Sequence, residues 1–401
     1  MAEAALDAII LLSPESFRYA TGASPGVATM WRNAGAVAAL VPADKTLEEA
    51  AVVSDLFAPS FRNTSHITDV RQSPIWVETA DLEGADLNLD PKEVVAAAWH
   101  SAGRPQDFQR PETFDPAICY RHLADVLAER GLERARIGFE AAAISARDVD
   151  QFKAALGKAK LVDASELIAR LKMVKSAEEI AHLRLAVEIS DSGIRSVQEA
   201  MGPGVSRNTL ADVWSTSVNK HKNSKALSGA WEYISVGKNP WGSDATASAG
   251  DLIKVDVGCV VNGYTSDTGR TFVLGEPSPV QARLFDALMQ GFVAGSALLR
   301  PSVPLGDVHQ ATLAAIRAAG FPGYSRGHFG HGLGAGFGSE EWPFISSRSE
   351  VTLEPGMVMA FECPWYVDGL GGMIIENQLL ITETGHEMMN DLPLDIVQIP
   401  V

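Results

Sequence analysis

The 401-residue chain has only three cysteines, Cys119, Cys259 and Cys363, and no two of them form a CxxC pair. A disulfide framework needs paired cysteines and a structural thiolate zinc needs clustered ones, so the sequence argues against both and predicts reduced thiols. Long apolar runs are also missing: none approaches the roughly 20 residues that span a bilayer. The apolar stretch at 8–12 is short and has no basic segment before it, so it reads as a buried strand rather than a signal peptide. Without either signal, the expected location is the cytoplasm. Positive charge is in deficit, with 33 Lys and Arg against 50 Asp and Glu and a net charge of −17. Such a surface repels nucleic acid and anionic lipid, so neither is an expected partner. No internal repeat or low-complexity tract interrupts the chain.

What is present is ordinary for a globular protein, with 46% hydrophobic and 21% charged residues. The length suffices for two domains with sizeable cores. Short apolar runs at 6–12, 36–41 and 51–53 predict strands, and helical patterns alternate with them, which gives an α/β (α+β) class. A polar stretch at 103–116 with three prolines reads as a loop. Helices are expected at 118–131 and 148–159, and strands at 137–140 and from 161. A boundary falls near 164–175, dividing the chain into 1–165 and 166–401. Ser176 followed by Glu179 forms a capping box that opens a helix whose apolar face carries Ile180, Leu183, Val187, Ile194 and Val197. Gly202-Pro203-Gly204 stops it, and later helices are expected at 279–299 and 307–319, the latter with Asp307 as its N-cap.

Acidic residues inside apolar strands carry the chemistry. Around the hairpin dipeptide Asn262-Gly263, a two-residue turn sets 258 opposite 267 and 256 opposite 269. Asp256 and Asp267 then become diagonal neighbours on one sheet face, roughly 7–8 Å apart at the backbone. A buried carboxylate costs several kcal/mol unless paired or ligated. Pairing with Lys254 or Arg270 is the competing explanation for Asp256. In the second acidic segment, Glu362 and Glu376 are symmetric about Gly369, so a turn within 368–372 sets them opposite one another. Cys363 follows Glu362 directly. Between the two hairpins lies a glycine-rich loop, 327–334, whose His331 is the candidate ligand and His328 a neighbour acting beside the site. Four carboxylates and one imidazole form a hard, oxygen-rich set suited to two divalent ions, Mn²⁺, Fe²⁺, Co²⁺ or Zn²⁺. Two such ions hold a water, lower its pKa and polarise a carbonyl.

These segments, in this order, resemble the pita-bread metallohydrolases, which include methionine aminopeptidase, Xaa-Pro aminopeptidase, prolidase and creatinase. The carriers are VDVGCVVNGYTSDTGRTF, GHGLG, AFECPWY and MIIENQLLIT, with LKMVKSAEEIAHLRLAVEISDSG similar to the family's opening catalytic helix. The first half is more loosely similar to the creatinase/prolidase N-terminal domain, beginning directly at its first strand. The resemblance implies a pita-bread catalytic domain after that N-terminal domain, and a homodimer. It also implies that Asp267 and Glu376 bridge two metal ions, manganese foremost, that Asp256 completes one ion, and that His331 with Glu362 completes the other. Glu362 would also carry the proton. Creatinase lacks this ligand set, so the complete set argues against its metal-free mechanism.

Two departures bear on the substrate. Peptidases of this group carry a histidine before the first hairpin, where this chain reads VGKNPWGSDATASAGD, with Trp241 and Ser243 the notable residues. They carry another after the histidine loop, where this chain has Ser339, Glu340 and Glu341. The expected activity is therefore hydrolysis of an amide C–N bond in either a short peptide or a small non-peptide amide. Trp241, Glu340 and Glu341 are candidate substrate contacts, the glutamates for a cationic group. Trp31 and Arg32, in the interrupting Trp31-Arg32-Asn33, are further candidates. Two alternatives stand beside this reading. One is a C–S lyase acting on a sulfonium compound such as dimethylsulfoniopropionate, against which Gly258 in a plain Asp-x-Gly pattern argues. The other is a non-catalytic binding module, against which the complete ligand set argues.

Overall fold

The structure is a computed structural model that describes residues 1–241, 245–336 and 340–401. It divides into two compact units, Met1–Ile168 and Ala169–Val401. The 165/166 boundary expected from sequence falls at the start of the helix Ser165–Met173.

Six strands make the sheet of the first unit: β1 Ala8–Leu11, β2 Ala38–Pro42, β3 Ala50–Ser54, β4 Asp69–Ser73, β5 Arg136–Phe139 and β6 Lys160–Asp163, in the order β4-β3-β2-β1-β5-β6. Ile9 and Leu11 enter one apolar cluster with Phe17 and Phe61, while Ala8 and Ile10 enter another with Tyr120 and Phe152. Successive side chains of a strand point to opposite faces, so a sheet covered on both sides needs apolar residues at consecutive positions. That is why β1 reads as a continuous apolar run. The sequence reading missed β4, whose Asp-Val-Arg-Gln-Ser has no apolar pattern, and the helix Pro91–Ser101, which has no buried residue.

The second unit opens with the helix Ala177–Glu199, started by the Ser176/Glu179 capping box. Its sheet contains, among the described residues, eleven strands: β7 Leu227–Glu232, β8 Ser235–Val236, β9 Leu252–Val261, β10 Tyr264–Thr265, β11 Thr268–Leu274, β12 His328–Gly332, β13 Glu341–Ser346, β14 Val358–Val367, β15 Gly371–Ile381, β16 His386–Met388 and β17 Val397–Ile399. The central order is β10-β9-β11-β15-β14-β12-β13. On β9, Ile253, Val255, Val257, Cys259 and Val261 pack with Ile189, Ile194, Leu210 and Trp214 from the first two helices of this unit. On β14 and β15, Met359, Phe361, Cys363, Met373 and Ile375 pack with Leu288, Phe292, Val308 and Ile316 from the helices Pro279–Ser296 and Leu305–Ala318. Because side chains alternate, Asp256, Glu362 and Glu376 project on the opposite face.

Two expectations change. Asp307 lies within the first turn of its helix, and Pro304 is the N-cap. The glycine-rich segment around His331 is not a loop but the strand β12, paired with β13 and β14. Gly330 explains how. It adopts φ +127°, and a Cβ there would lie 2.0 Å from the Ala360 carbonyl oxygen, so the close pairing with β14 requires glycine.

Candidate metal centre

The acidic row is built by register. Asp256 pairs with Gly269, Gly269 with Glu376, and Glu376 with Glu362, which carries one line across β9, β11, β15 and β14. The Asn262-Gly263 turn sets this register from one side, with Val261 opposite Tyr264. The turn at 368–370 sets it from the other, with Val367 opposite Gly371. Asp267 stands two residues before Gly269, diagonal to Asp256. Its approach depends on Gly258, where a Cβ would lie 2.1 Å from the Ser266 carbonyl oxygen. The Ser266 hydroxyl in turn accepts the Cys259 N–H at 2.9 Å. Between the two hairpins, Gly269↔Glu376 is the single register pair recorded for β11 with β15, and side chains supply further links. Thr271 Oγ1 donates to the Ile374 carbonyl at 2.9 Å and accepts the Ile374 N–H at 2.8 Å. The buried Arg270 guanidinium donates to the Glu376 carbonyl and to Asn377 Oδ1. Arg270 thus secures the Glu376 backbone and does not pair with Asp256. Burial lowers its pKa to about 10.

Asp267, His331 and Glu376 each direct one ligand atom into a space where these atoms lie within 4.8 Å of one another. All three residues are buried. His331 Nδ1 lies 3.0 Å from the Gly332 carbonyl, which assigns the proton to Nδ1. Its Nε2 lone pair then faces Asp267 Oδ2 at 3.5 Å. Burial first, then the neighbouring Asp256 and Glu362 charges, raises the Asp267 pKa well above the usual carboxylate range. Burial, then Asp267 and Glu362, does the same to Glu376. Asp256 is raised by burial against the opposing pull of Lys254. Asp267 Oδ1 is buried with no hydrogen-bond partner. Buried like charges and an orphaned carboxylate oxygen call for a cation, and the oxygen-rich donor set with one imidazole suits a divalent ion. The residues therefore fit such ions.

The outer two carboxylates are held differently. Lys254 Nζ lies 3.1 Å from Asp256 Oδ2, and Arg326 Nη2 lies 2.7 Å from Glu362 Oε1. His328 Nδ1 is 3.8 Å from the same Glu362 oxygen, and burial lowers the His328 pKa. Trp241 stacks on Tyr366 with ring centroids 4.7 Å apart. Glu340 is exposed and its charge acts on both Asp267 and His328. Glu341 is already neutralised, 3.1 Å from Lys172 Nζ and 3.3 Å from Lys175 Nζ, so it has no charge to spare for a substrate cation. Ser243 and Ser339 lie outside the described residues. Trp31 and Arg32 belong to the first unit, where Trp31 packs on Trp76 and Phe114 and Arg32 pairs with Glu15 at 2.7 Å. Arg326 and Tyr366 were not anticipated from sequence. The strand alternation Glu362, Pro364, Tyr366 was a signal for the tyrosine; Arg326, outside any strand, had none.

A family model described as metallopeptidase family M24 matches residues 181–383. A model of the creatinase/prolidase N-terminal domain matches residues 1–174. The uncharacterized peptidase YqhT of Bacillus subtilis (strain 168) is 30% identical over 279 residues, covering 68% of this chain and 77% of its own. The Xaa-Pro dipeptidase of Pyrococcus furiosus is 29% identical over 245 residues, covering 59% of this chain and 68% of its own. Among solved structures, the Xaa-Pro dipeptidase from Bacillus anthracis matches with a TM-score of 0.77 at 20% identity, over 99% of this chain and 96% of that one. Dipeptidase PepE from Mycobacterium ulcerans matches with a TM-score of 0.75 at 23% identity, over 100% and 95%. At these identities the structural matches establish the fold, a creatinase-like N-terminal domain followed by a pita-bread domain.

Proposed function

This chain belongs to metallopeptidase family M24, and from that premise we propose that it hydrolyses an amide C–N bond in a short peptide of Xaa-Pro type or a close small-molecule analogue. The observation that carries the reading is the buried cluster of Asp267, His331 and Glu376, flanked by Asp256 and Glu362. The peptidase and dipeptidase names of the relatives support the same reaction class and lend nothing to the lyase alternative.

Asp256, Asp267, His331, Glu362 and Glu376 are the residues that would hold two divalent ions, with manganese the first candidate. Bound there, the ions supply a water acidic enough to ionise near neutral pH and a Lewis acid for the scissile carbonyl. Burial of Asp267 and Glu376 excludes bulk water and strengthens every charge interaction in the site. Glu362 is the proton carrier: its carboxylate accepts a proton at an Oε atom and delivers it to the departing amine nitrogen. His328, beside that carboxylate, orients it. Trp241 and Glu340 border the substrate space, and a homodimer is the expected assembly. Among the described residues no helix is long and apolar enough to cross a membrane.

Hydrolysis of Xaa-Pro dipeptides and tripeptides by chelated protein, before and after Mn²⁺ addition, tests the reading. Metal-restored release of proline or of an Xaa residue is the expected result. A folded, Mn²⁺-loaded protein that cleaves none of them would reject the peptide substrate and redirect the search to non-peptide amides.

A further inference from the structure

Among the described residues, two cationic side chains rest against the acidic row, and the hydrolytic reading uses neither. Lys254 sits two residues before Asp256 on β9, so the two share a face. Its stem crosses Gly372, where a Cβ would lie 3.3 Å from Lys254 Cδ. The side chain is 1% exposed, and its Nζ lies 5.5 Å and 5.3 Å from the ring centroids of Trp241 and Tyr366. Arg326 lies at the opposite end of the row, and its Nε is buried with no hydrogen-bond partner. It also lines a cavity of about 620 Å³ with Tyr366, Trp365 and Phe321, within the size range of small-ligand sites.

The pairing is selective. Each cation holds one outer carboxylate, through Asp256 Oδ2 and Glu362 Oε1. Among the described residues, the inner Asp267 and Glu376 have no lysine or arginine within ion-pair distance. A carboxylate oxygen that ligates a divalent ion cannot keep a close ion pair with an ammonium or guanidinium at full strength. Divalent charge entering the row also repels the two side chains. Lys254 is confined by the aromatic pair, and Arg326 has its cavity on one side. The buried Lys254 then needs a new anion, because a buried unpaired cation is costly, and the half-buried Arg326 is left with its guanidinium free to take one.

We propose that Lys254 and Arg326 are stand-in cations: they hold Asp256 and Glu362 in the metal-free protein and, once metal claims those carboxylates, become the receptor for an anionic group on the substrate. The substrate class is then an amide that also bears a carboxylate, seated toward the cavity beside Arg326 and Tyr366. The substrate half rests on the hydrolase reading; the exchange of counter-charges does not.

Calorimetric titration of Mn²⁺ into chelated protein at pH 7.5 tests the exchange without any turnover. Lys254→Met is expected to bind Mn²⁺ at least tenfold more tightly than the parent and to melt at a lower temperature when metal-free, with Lys254→Arg restoring both values. Arg326→Met, a more accessible position, is expected to show the same pair of changes and serves if Lys254→Met does not fold. Unchanged or weaker Mn²⁺ binding in a folded variant would overturn the exchange. The receptor is tested by titrating N-acetylglycine and, as its neutral counterpart, N-acetylglycinamide into the Mn²⁺-loaded proteins. The parent is expected to bind the acid and not the amide, and Arg326→Met to lose at least tenfold in affinity for the acid. Equal binding of the acid by parent and variant would overturn the receptor. Retained acid binding by a parent that cleaves no peptide would sink the peptidase reading and leave this one standing.

Discussion

Two pairs of carboxylates stand side by side in this site and are treated in opposite ways. Asp267 and Glu376, the inner pair, are buried beside His331 with no ion-paired lysine or arginine among the described residues, and their pKa values rise well above normal by burial and mutual repulsion. Asp256 and Glu362, the outer pair, each hold a cation within 3.1 Å. The difference teaches where a divalent ion is indispensable and where it has a substitute. Among the described residues no lysine or arginine reaches ion-pair distance of the inner charges, and Lys254 acts on them only from farther off, so their geometry calls for a bound cation. The outer charges are compatible with a stable metal-free protein.

The strongest way to break the comparison is to remove an inner carboxylate. Glu376→Ala is expected to lower kcat/KM by more than about 10⁴-fold, because it removes the support of the activated water and the Lewis acid, and to cut Mn²⁺ uptake while far-ultraviolet dichroism stays native. A fully active variant would remove Glu376 from the site. His331→Ala is expected to follow closely, since it takes away the one nitrogen donor.

At the outer pair, Glu362→Gln is expected to cost about 10²–10⁴-fold in kcat, the usual range for a positioned proton carrier. His328→Ala should cost only about 10–100-fold, as a neighbour that orients a ligand. Rate measurements that put His328 ahead of His331 would show the wrong imidazole was assigned.

pH sharpens the same contrast in the metal-free protein. Carboxylates whose pKa is raised on folding bind more protons folded than unfolded. Their contribution is fully present below the unfolded value of about 4 and is lost as pH rises through the folded values. Thermal melts of chelated protein should therefore show this contribution falling as pH climbs from about 4, and the rise in Tm on adding Mn²⁺ should grow in parallel. A Mn²⁺ effect that shrinks over that range would contradict the inner-pair assignment. The smallest change in activity is expected for Glu341→Gln. It strips a partner from the buried Lys175 and should cost about 3 kcal/mol of stability in urea melts, with kcat/KM little altered.

The register of both hairpins was legible because it is local. Asn262-Gly263 admits one tight turn, and the 368–370 turn centres Glu362 on Glu376, so a period of two residues places the side chains. The capping box at Ser176 was legible for the same reason. Illegible elements lacked a local signature: β4 is polar, and the helix Pro91–Ser101 buries no residue. The glycine-rich segment misled, because glycine usually marks a turn, whereas Gly330 here serves close strand pairing.

By itself, then, the sequence determined the acidic composition of the site, the order of its parts and the pairing within each hairpin, all set by neighbours a few residues apart. Only the tertiary structure decided that β11 meets β15, that β12 brings His331 to Asp267, and that Arg326 takes Glu362 while Lys172 and Lys175 take Glu341. Those contacts join residues tens to hundreds of positions apart or depend on which face and strand lie adjacent. Charge pairing follows distance in space, which no local pattern encodes.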